Sequence, residues 1–320
     1  MDNRETIQKM VAIARYYYQH NLPRAKIADI LGISRQLVSK LLERAVNEGY
    51  VHVNVVDPFE MNNQLRDRLC NLTGLKDVVI VPSPHRGVDG IKKNIGYIGS
   101  MYIIDQIQQG DIIGLGWGRT LRNLIQDIER REIPDTRIVP MLGGVGQVDP
   151  ELQVNSLATV LAEKINAKPY LLFALGAVHD KDARDQILGS ISNVIKYWDK
   201  IDIALVGIGE VTAEEYVHST KHVFISVEER AIMKEKGAVG DINMHFYDID
   251  GNEVVSDRYY KISTTLTQLR KIPLVVGFAG GMFKVKAIQG AIEGKLVDVL
   301  VTDENVAQEL IKIYSKKQSQ

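Results

Sequence analysis

From residue 77 onward the chain repeats one texture: a short, almost unbroken apolar run, then a longer stretch whose apolar residues recur every three or four positions. The runs are Val78–Val81, Ile112–Gly116, Arg137–Leu142, Tyr170–Phe173, Ile203–Gly207, Leu274–Gly277 and Val297–Thr302. Helical patterns cover Ile91–Gln108, Thr120–Ile128, Leu157–Ile165, Val285–Glu293 and Asn305–Tyr314. A strand with no polar face must be buried on both sides. Strands that alternate with helices are joined by right-handed crossovers, which lay helices on both faces of one sheet. The pattern predicts an α/β body with a mostly parallel, doubly wound sheet.

The first 56 residues read differently. Ile7, Met10, Val11, Ala14 and Tyr18 form one helical stripe that ends near His20-Asn21. Pro23 suits the opening of a second helix, with Ile27, Ala28 and Leu31 inward. Gly32 closes it, and Ser34 caps a third helix whose predicted inner face is Leu37, Val38, Leu41, Leu42 and Ala45. Residues 50–56 then alternate apolar and polar, as a strand does. Asp57-Pro58 punctuates the chain, and a further helix follows with Met61, Leu65, Leu69 and Leu72 inward. The predicted organisation is an all-α helix-turn-helix domain over 1–56, winged if the 50–56 strand pairs, and a second domain over 57–320.

Charge divides the same way. Basic and acidic residues number 39 and 40 over the chain, which excludes a chain-wide polyanion-binding coat. Residues 1–56 carry eight basic and five acidic side chains, and the rest carries 31 and 35. A small basic head on an acidic body suits nucleic-acid binding, although an excess of this size also arises by chance. Cys70 is the single cysteine, so no internal disulfide or cysteine zinc cluster forms, and a reducing compartment fits. Met1 is followed by charged residues, and no apolar run reaches ~18 residues. The chain reads as cytoplasmic, with no membrane partner and no metal.

Within the head, residues 24–43 fill every position of a helix-turn-helix: Ile27, Ala28 and Leu31 on one helix, Gly32 and Ile33 at the turn, Val38 and Leu41 on the next. The exposed face of the second helix is Ser34, Arg35, Gln36, Ser39, Lys40 and Arg44. Arg35 matches guanine O6 and N7, and Gln36 matches adenine N6 and N7. Ser39, Lys40 and Arg44 suit phosphates. These are the candidate DNA contacts.

In the body, four strands run straight into glycine: Leu115-Gly-Trp-Gly118, Leu142-Gly-Gly144, Val206-Gly-Ile-Gly209 and Phe278-Ala-Gly-Gly281. Ligands of open parallel sheets bind beyond the carboxyl ends of the strands. Glycine there lets backbone N–H groups approach an anion at a helix N-terminus. Arg119 follows Gly118, and Lys284 follows Gly281 by three. A cation in a first helical turn opposes the macrodipole, which makes sense when an anion shares the site. Arg119 reads equally well as a solvated side chain.

The chain resembles the SorC-type bacterial transcriptional regulators. The matching stretches are IADILGISRQLVSKLLERAVNEGYV, GLGWGRTL, PMLGGV followed by QVNSLATVLAEK, DIALVGIG, GAVGDINMHFYDIDG, VGFAGGMFKVKAIQGAI and DVLVTDENVA. The resemblance implies a sugar-isomerase-like body and an effector that is a sugar, polyol or sugar phosphate, with no cofactor. It implies that Gly118, Arg119, Thr120, Gly143, Gly144, Gln153, Asn155, Asp241 and Lys284 line the effector site. It also implies a homodimer or homotetramer on a pseudo-palindromic operator of a carbohydrate-utilisation operon. Met141 and Leu142 stand where some members carry a basic residue, and Met282 and Phe283 make the Lys284 loop apolar. Those departures lean away from a doubly phosphorylated effector.

The rival class is a sugar-phosphate isomerase- or deaminase-like enzyme. Proton transfer needs a positioned base, and the candidates are Asp241, His179-Asp180 and Asp303-Glu304. Asp303-Glu304 follow a strand and start a helix, His179-Asp180 lie in a polar loop, and Asp241 can bind hydroxyls without catalysis. No nucleophile set, metal-ligand spacing or Walker loop is visible, so the sequence argues against catalysis and names no catalytic residue.

Overall fold

The computed structural model describes residues 4–20, 22–51, 63–83, 87–144, 150–211 and 226–318. The chain divides into two compact units, Met1–Asp57 and Pro58–Gln320.

In the first unit, α1 (Arg4–Ala14) continues into a π-helical turn, Arg15–Gln19. It packs with α2 (Arg24–Leu31) and α3 (Arg35–Asn47) around Met10, Ile13, Ile27, Val38, Leu41, Leu42 and Ala45. Gly32 ends α2 at φ +61°, a left-handed conformation that a side chain disfavours, and Ile33 N–H bonds the Ala28 carbonyl at 3.1 Å. The Ser34 hydroxyl then accepts from Leu37 N–H at 3.1 Å and opens α3. Two residues expected on inner faces point outward: Tyr18 is 41% and Leu37 39% exposed. Ile13 takes the inward place on α1, and Tyr18 falls in the π turn, where the periodicity no longer holds. Residues 52–56 of the expected strand, and Met61, lie outside the described residues.

The second unit contains all thirteen described strands: β1 (Asp77–Val81), β2 (Ile112–Leu115), β3 (Arg137–Pro140), β4 (Lys168–Pro169), β5 (Ala177–Val178), β6 (Ile203–Gly207), β7 (Gly209–Glu210), β8 (Gly240–Ile242), β9 (His245–Tyr247), β10 (Glu253–Val254), β11 (Tyr260–Lys261), β12 (Leu274–Phe278) and β13 (Val299–Asp303). Seven form one sheet in the order β1-β13-β12-β6-β2-β3-β4, every pairing parallel. Its helices are α4 (Asn63–Thr73), α5 (Gly87–Gln106), α6 (Arg119–Asp127), α7 (Val154–Ile165), α8 (Lys181–Ser190), α9 (Ser192–Ile195), α10 (Val227–Glu235), α11 (Leu266–Leu269), α12 (Val285–Glu293) and α13 (Glu304–Gln318).

Neighbouring strand residues serve opposite cores, as a period of two requires. Ile112, Ala204, Val275 and Leu300 join Leu69, Leu269, Ile288 and Leu310 from α4, α11, α12 and α13. Ile113, Leu205, Val276 and Val301 join Ile98, Leu124 and Leu161 from α5, α6 and α7.

The expected strand over 170–173 is corrected: the edge strand is Lys168–Pro169, and residues 170–173 carry no strand. Asn155 takes both backbone groups of Leu172, donating to its carbonyl at 3.1 Å and accepting from its N–H at 2.9 Å, where a ladder would have used them. An antiparallel sheet, β10-β9-β8-β7, adds to the main sheet. Its strands of two or three residues are too short to show a period.

Replacing Gly32 with Ala meets no neighbouring atom. Its cost is the left-handed backbone alone, about 1–2 kcal/mol. Chemical denaturation of a fragment holding the first unit should register that loss, and an unchanged midpoint contradicts the turn geometry.

Candidate functional site

On α3, Arg35, Gln36 and Lys40 are exposed, with Arg35 and Gln36 in the first turn after the Ser34 cap. Ser39 and Arg44 are half-buried. Arg44 is drawn along the helix to Glu48, with Nε at 3.0 Å and Nη2 at 2.8 Å from one carboxylate oxygen. The exposed residues of the face are therefore Ser34, which caps α3, with Arg35, Gln36 and Lys40.

In the second unit the glycine loops gather at the carboxyl edge of the main sheet, and their backbone groups have different fates. After β2, Gly116 N–H still bonds Leu205 at 2.9 Å. Gly118, at φ +125°, then turns the chain into α6. The first N–H groups of α6, at Arg119 and Thr120, have no helical carbonyl to reach and stand at the positive end of the dipole. Arg119 is half-buried and Thr120 buried.

After β3, Gly143 N–H goes to the Ile262 carbonyl at 2.9 Å and Gly144 N–H to Ala174 at 2.7 Å. A Cβ on Gly143 would collide with the Leu175 carbonyl. These glycines thus let two backbone segments touch, and their N–H groups are spent inside the fold. Met141 and Leu142 before them are fully buried. Gln153 begins α7 with its Oε1 3.6 Å from where a Gly144 Cβ would stand. Asn155 is committed to Leu172. After β12, Gly281 N–H donates to Asp303 at 2.6 Å.

Lys284 closes a single 3-10 turn, Met282–Lys284, and caps α12. It donates to the Ile208 carbonyl at 2.6 Å. Asp241 on β8 pairs with Gly209 on β7, so Lys284 and Asp241 flank the same Ile208-Gly209 crossing. Burial pushes the Asp241 carboxyl above the usual range, although Arg230, Lys284 and Lys261 all pull it down. Its Oδ1 is buried without a hydrogen-bond partner among the described residues. A buried, unsatisfied carboxylate oxygen can accept a ligand hydroxyl.

Two features escaped the sequence reading. Asn243 and Met244 form the β8–β9 turn with φ of +49° and +69°, rare values for residues other than glycine. The Asn243 amide donates to Thr264 Oγ1 at 3.2 Å, and its Oδ1 fills the space a Gly116 Cβ would need. His245, Glu253, Lys261 and Ser263 form a polar cluster beneath that hairpin. Asn243 and His245 lie within GAVGDINMHFYDIDG, but no spacing links them to Glu253, Lys261 or Ser263.

The remaining enzyme candidates have structural uses. His179 Nδ1 is 2.8 Å from the Arg258 carbonyl. Asp180 caps α8 by accepting from Ala183 N–H at 2.7 Å. Asp303 accepts from Ser83 Oγ at 3.0 Å and Val306 N–H at 3.3 Å, besides Gly281. Among the described residues no group of three His, Cys, Asp or Glu could hold a metal. No described helix is long and apolar enough to cross a membrane.

A family model described as "Putative sugar-binding domain" matches residues 55–312. The sorbitol operon regulator of Klebsiella pneumoniae is 31% identical over 317 residues, covering 98% of this chain and 100% of the relative. The chain belongs to the SorC family of transcriptional regulators. The deoxyribonucleoside regulator of Bacillus subtilis is 30% identical, covering 97% of this chain and 99% of its own. The crystal structure of full-length SorC from Klebsiella pneumoniae aligns with a TM-score of 0.74 at 30% identity, covering 97% of this chain and 100% of that one. This chain is therefore a sugar-responsive transcriptional regulator of the SorC family and not an enzyme.

The raised Asp241 pKa has a definite sign. The folded state holds that proton more tightly than the unfolded chain, so the group favours folding below its ordinary pKa near 3.9 and loses that contribution as pH rises through the folded value. At pH 7, above the unfolded value, the shift works against the fold. Asp241→Asn should melt higher than wild type at pH 7, with the gap closing as the pH is lowered. A lower melting temperature for the variant at pH 7 contradicts the desolvated carboxylate.

Proposed function

We propose that residues 1–56 read an operator and that residues 57–320 bind the effector and oligomerise, controlling a carbohydrate-utilisation operon in the cytoplasm. The effector is a phosphorylated sugar or polyol held at the carboxyl edge of the parallel sheet. Its anionic group meets Gly118, Arg119 and Thr120, where the α6 N–H groups and dipole favour negative charge. Its hydroxyls meet Asp241, with Lys284 beside it and Gln153 nearby. Gly143, Gly144 and Asn155 shape that edge through packing and backbone bonds.

The observation that carries this reading is the buried Oδ1 of Asp241, without a partner among the described residues, on the same edge as the α6 N-terminus. The relatives' names support it, one a sorbitol operon regulator and the other a deoxyribonucleoside regulator. Melting temperatures measured with sugars, polyols and their phosphates test it, because a ligand that binds only the folded state raises the transition. The expected result is that phosphorylated compounds shift wild type more than their neutral counterparts do, and shift Lys284→Ala less than wild type. Neutral sugars acting as well as their phosphates contradict the anion assignment.

The operator is pseudo-palindromic and bound by a homodimer or homotetramer. One reading helix per chain supports this, since two are needed to span half-sites about one helical turn apart. Arg35→Ala should lose about 1–3 kcal/mol of preference for the operator over random duplex. Lys40→Ala should weaken all duplexes alike and reduce the salt slope by about 1. Fluorescence anisotropy on both duplexes decides. Wild-type behaviour from both variants removes this face from the DNA contact.

A further inference from the structure

We propose that His245 is a positioning residue of the effector site, locking the hairpin that carries Asp241 onto the segment 262–264 through a Glu253–His245–Ser263 relay. The inference rests on the effector site proposed above and adds residues that site does not contain.

The ring at the centre of the relay is buried and bonded through both nitrogens. His245 is 5% exposed. Its Nδ1 lies 2.6 Å from Glu253 Oε1 and its Nε2 2.9 Å from Ser263 Oγ. Lys261 Nζ donates to the same Glu253 oxygen at 2.6 Å and stands 3.1 Å from Nδ1. With Lys261 bound to the carboxylate, the bonds are satisfied when Nδ1 carries the proton and donates to Glu253. Nε2 then accepts from the Ser263 hydroxyl.

The ring and the Ser263 end of the relay both reach the site. His245 pairs with Ile242 across the turn, next to Asp241. Ser263 bridges Leu142, immediately before Gly143-Gly144. Thr264 N–H bonds the Met141 carbonyl at 2.8 Å, and its hydroxyl accepts from Asn243 at the hairpin tip. One imidazole therefore ties the Asp241 hairpin to the loop after β3.

The charged groups facing the ring are Glu253 from β10 and Lys261 from β11. Burial pushes the His245 pKa below its ordinary value; the Glu253 hydrogen bond opposes this, and the Lys261 charge adds to it. Burial alone would raise Glu253, but its bonds to His245 and Lys261 bring it down to about 2. Burial also pushes Lys261 down, and its bond to Glu253 opposes this. At pH 7 the Glu253 carboxyl is ionised and the ring is neutral. A proton on His245 brings a second charged donor beside Lys261 to one partly exposed carboxylate and reverses the bond to Ser263. The relay holds its geometry above the His245 pKa and loses it as the pH falls through that value.

The test uses full-length protein and calorimetric titration from pH 8 down to the lowest pH at which wild type stays folded. The probes are glucitol 6-phosphate, ribose 5-phosphate and inorganic phosphate, with melting temperatures recorded for each variant. His245→Ala should stay folded and bind the best probe about tenfold more weakly at pH 8, the scale of one lost buried hydrogen bond. His245→Gln places an amide where Nε2 stands. It should recover affinity to within about threefold and lack the additional acid loss that wild type shows. Comparison with wild type at each pH cancels the titration of the phosphate itself. Wild-type affinity in His245→Ala, or a wild-type pH profile in His245→Gln, overturns the proposal and leaves the effector site standing. If His245→Ala does not fold, the His245→Gln profile decides alone. No binding of any probe by wild type overturns the effector reading and this inference with it.

Discussion

Parallel pairing is the constraint on which the rest depends. Seven strands running the same way put all their carboxyl ends on one edge, and each must leave through a crossover to return. The backbone ladder does not stop where the strands stop: Gly116 bonds Leu205, Met141 bonds Leu115 and Ala279 bonds Val301 past the strand ends. Loops held that tightly form a rigid rim. The hairpin β8–β9 lies over it, and Asn243 can enter because Gly116 has no side chain.

The rim concentrates charge in low dielectric. Asp241 stands with Arg230, Lys261 and Lys284 in reach, yet burial still makes its ionised form costly. A buried carboxylate oxygen with no hydrogen-bond partner among the described residues carries a desolvation cost. A hydroxyl bonded to that oxygen would offset the cost.

Much of this was legible in the sequence because it depends on local rules. Gly32 and Ser34 announce the turn before α3 through backbone preference and capping. Apolar runs such as Ile203–Gly207 announce strands buried on both faces. Gly118 before Arg119 announces a helix start. What was not legible depends on contacts between distant residues. Gly143 and Gly281 look like anion cradles, but their N–H groups are claimed by Ile262 and Asp303. Tyr170–Phe173 looks like a strand, but Asn155 claims the backbone of Leu172. His245 finds Glu253 and Ser263 only after the antiparallel sheet forms, and strands of two or three residues leave no periodic trace.

The most direct test is a crystal structure of the full-length protein with a sugar phosphate that raises its melting temperature. The account predicts the phosphate within hydrogen-bond distance of the Arg119 and Thr120 N–H groups and a sugar hydroxyl on Asp241 Oδ1. A ligand bound elsewhere, or one that leaves Asp241 Oδ1 without a partner, contradicts it.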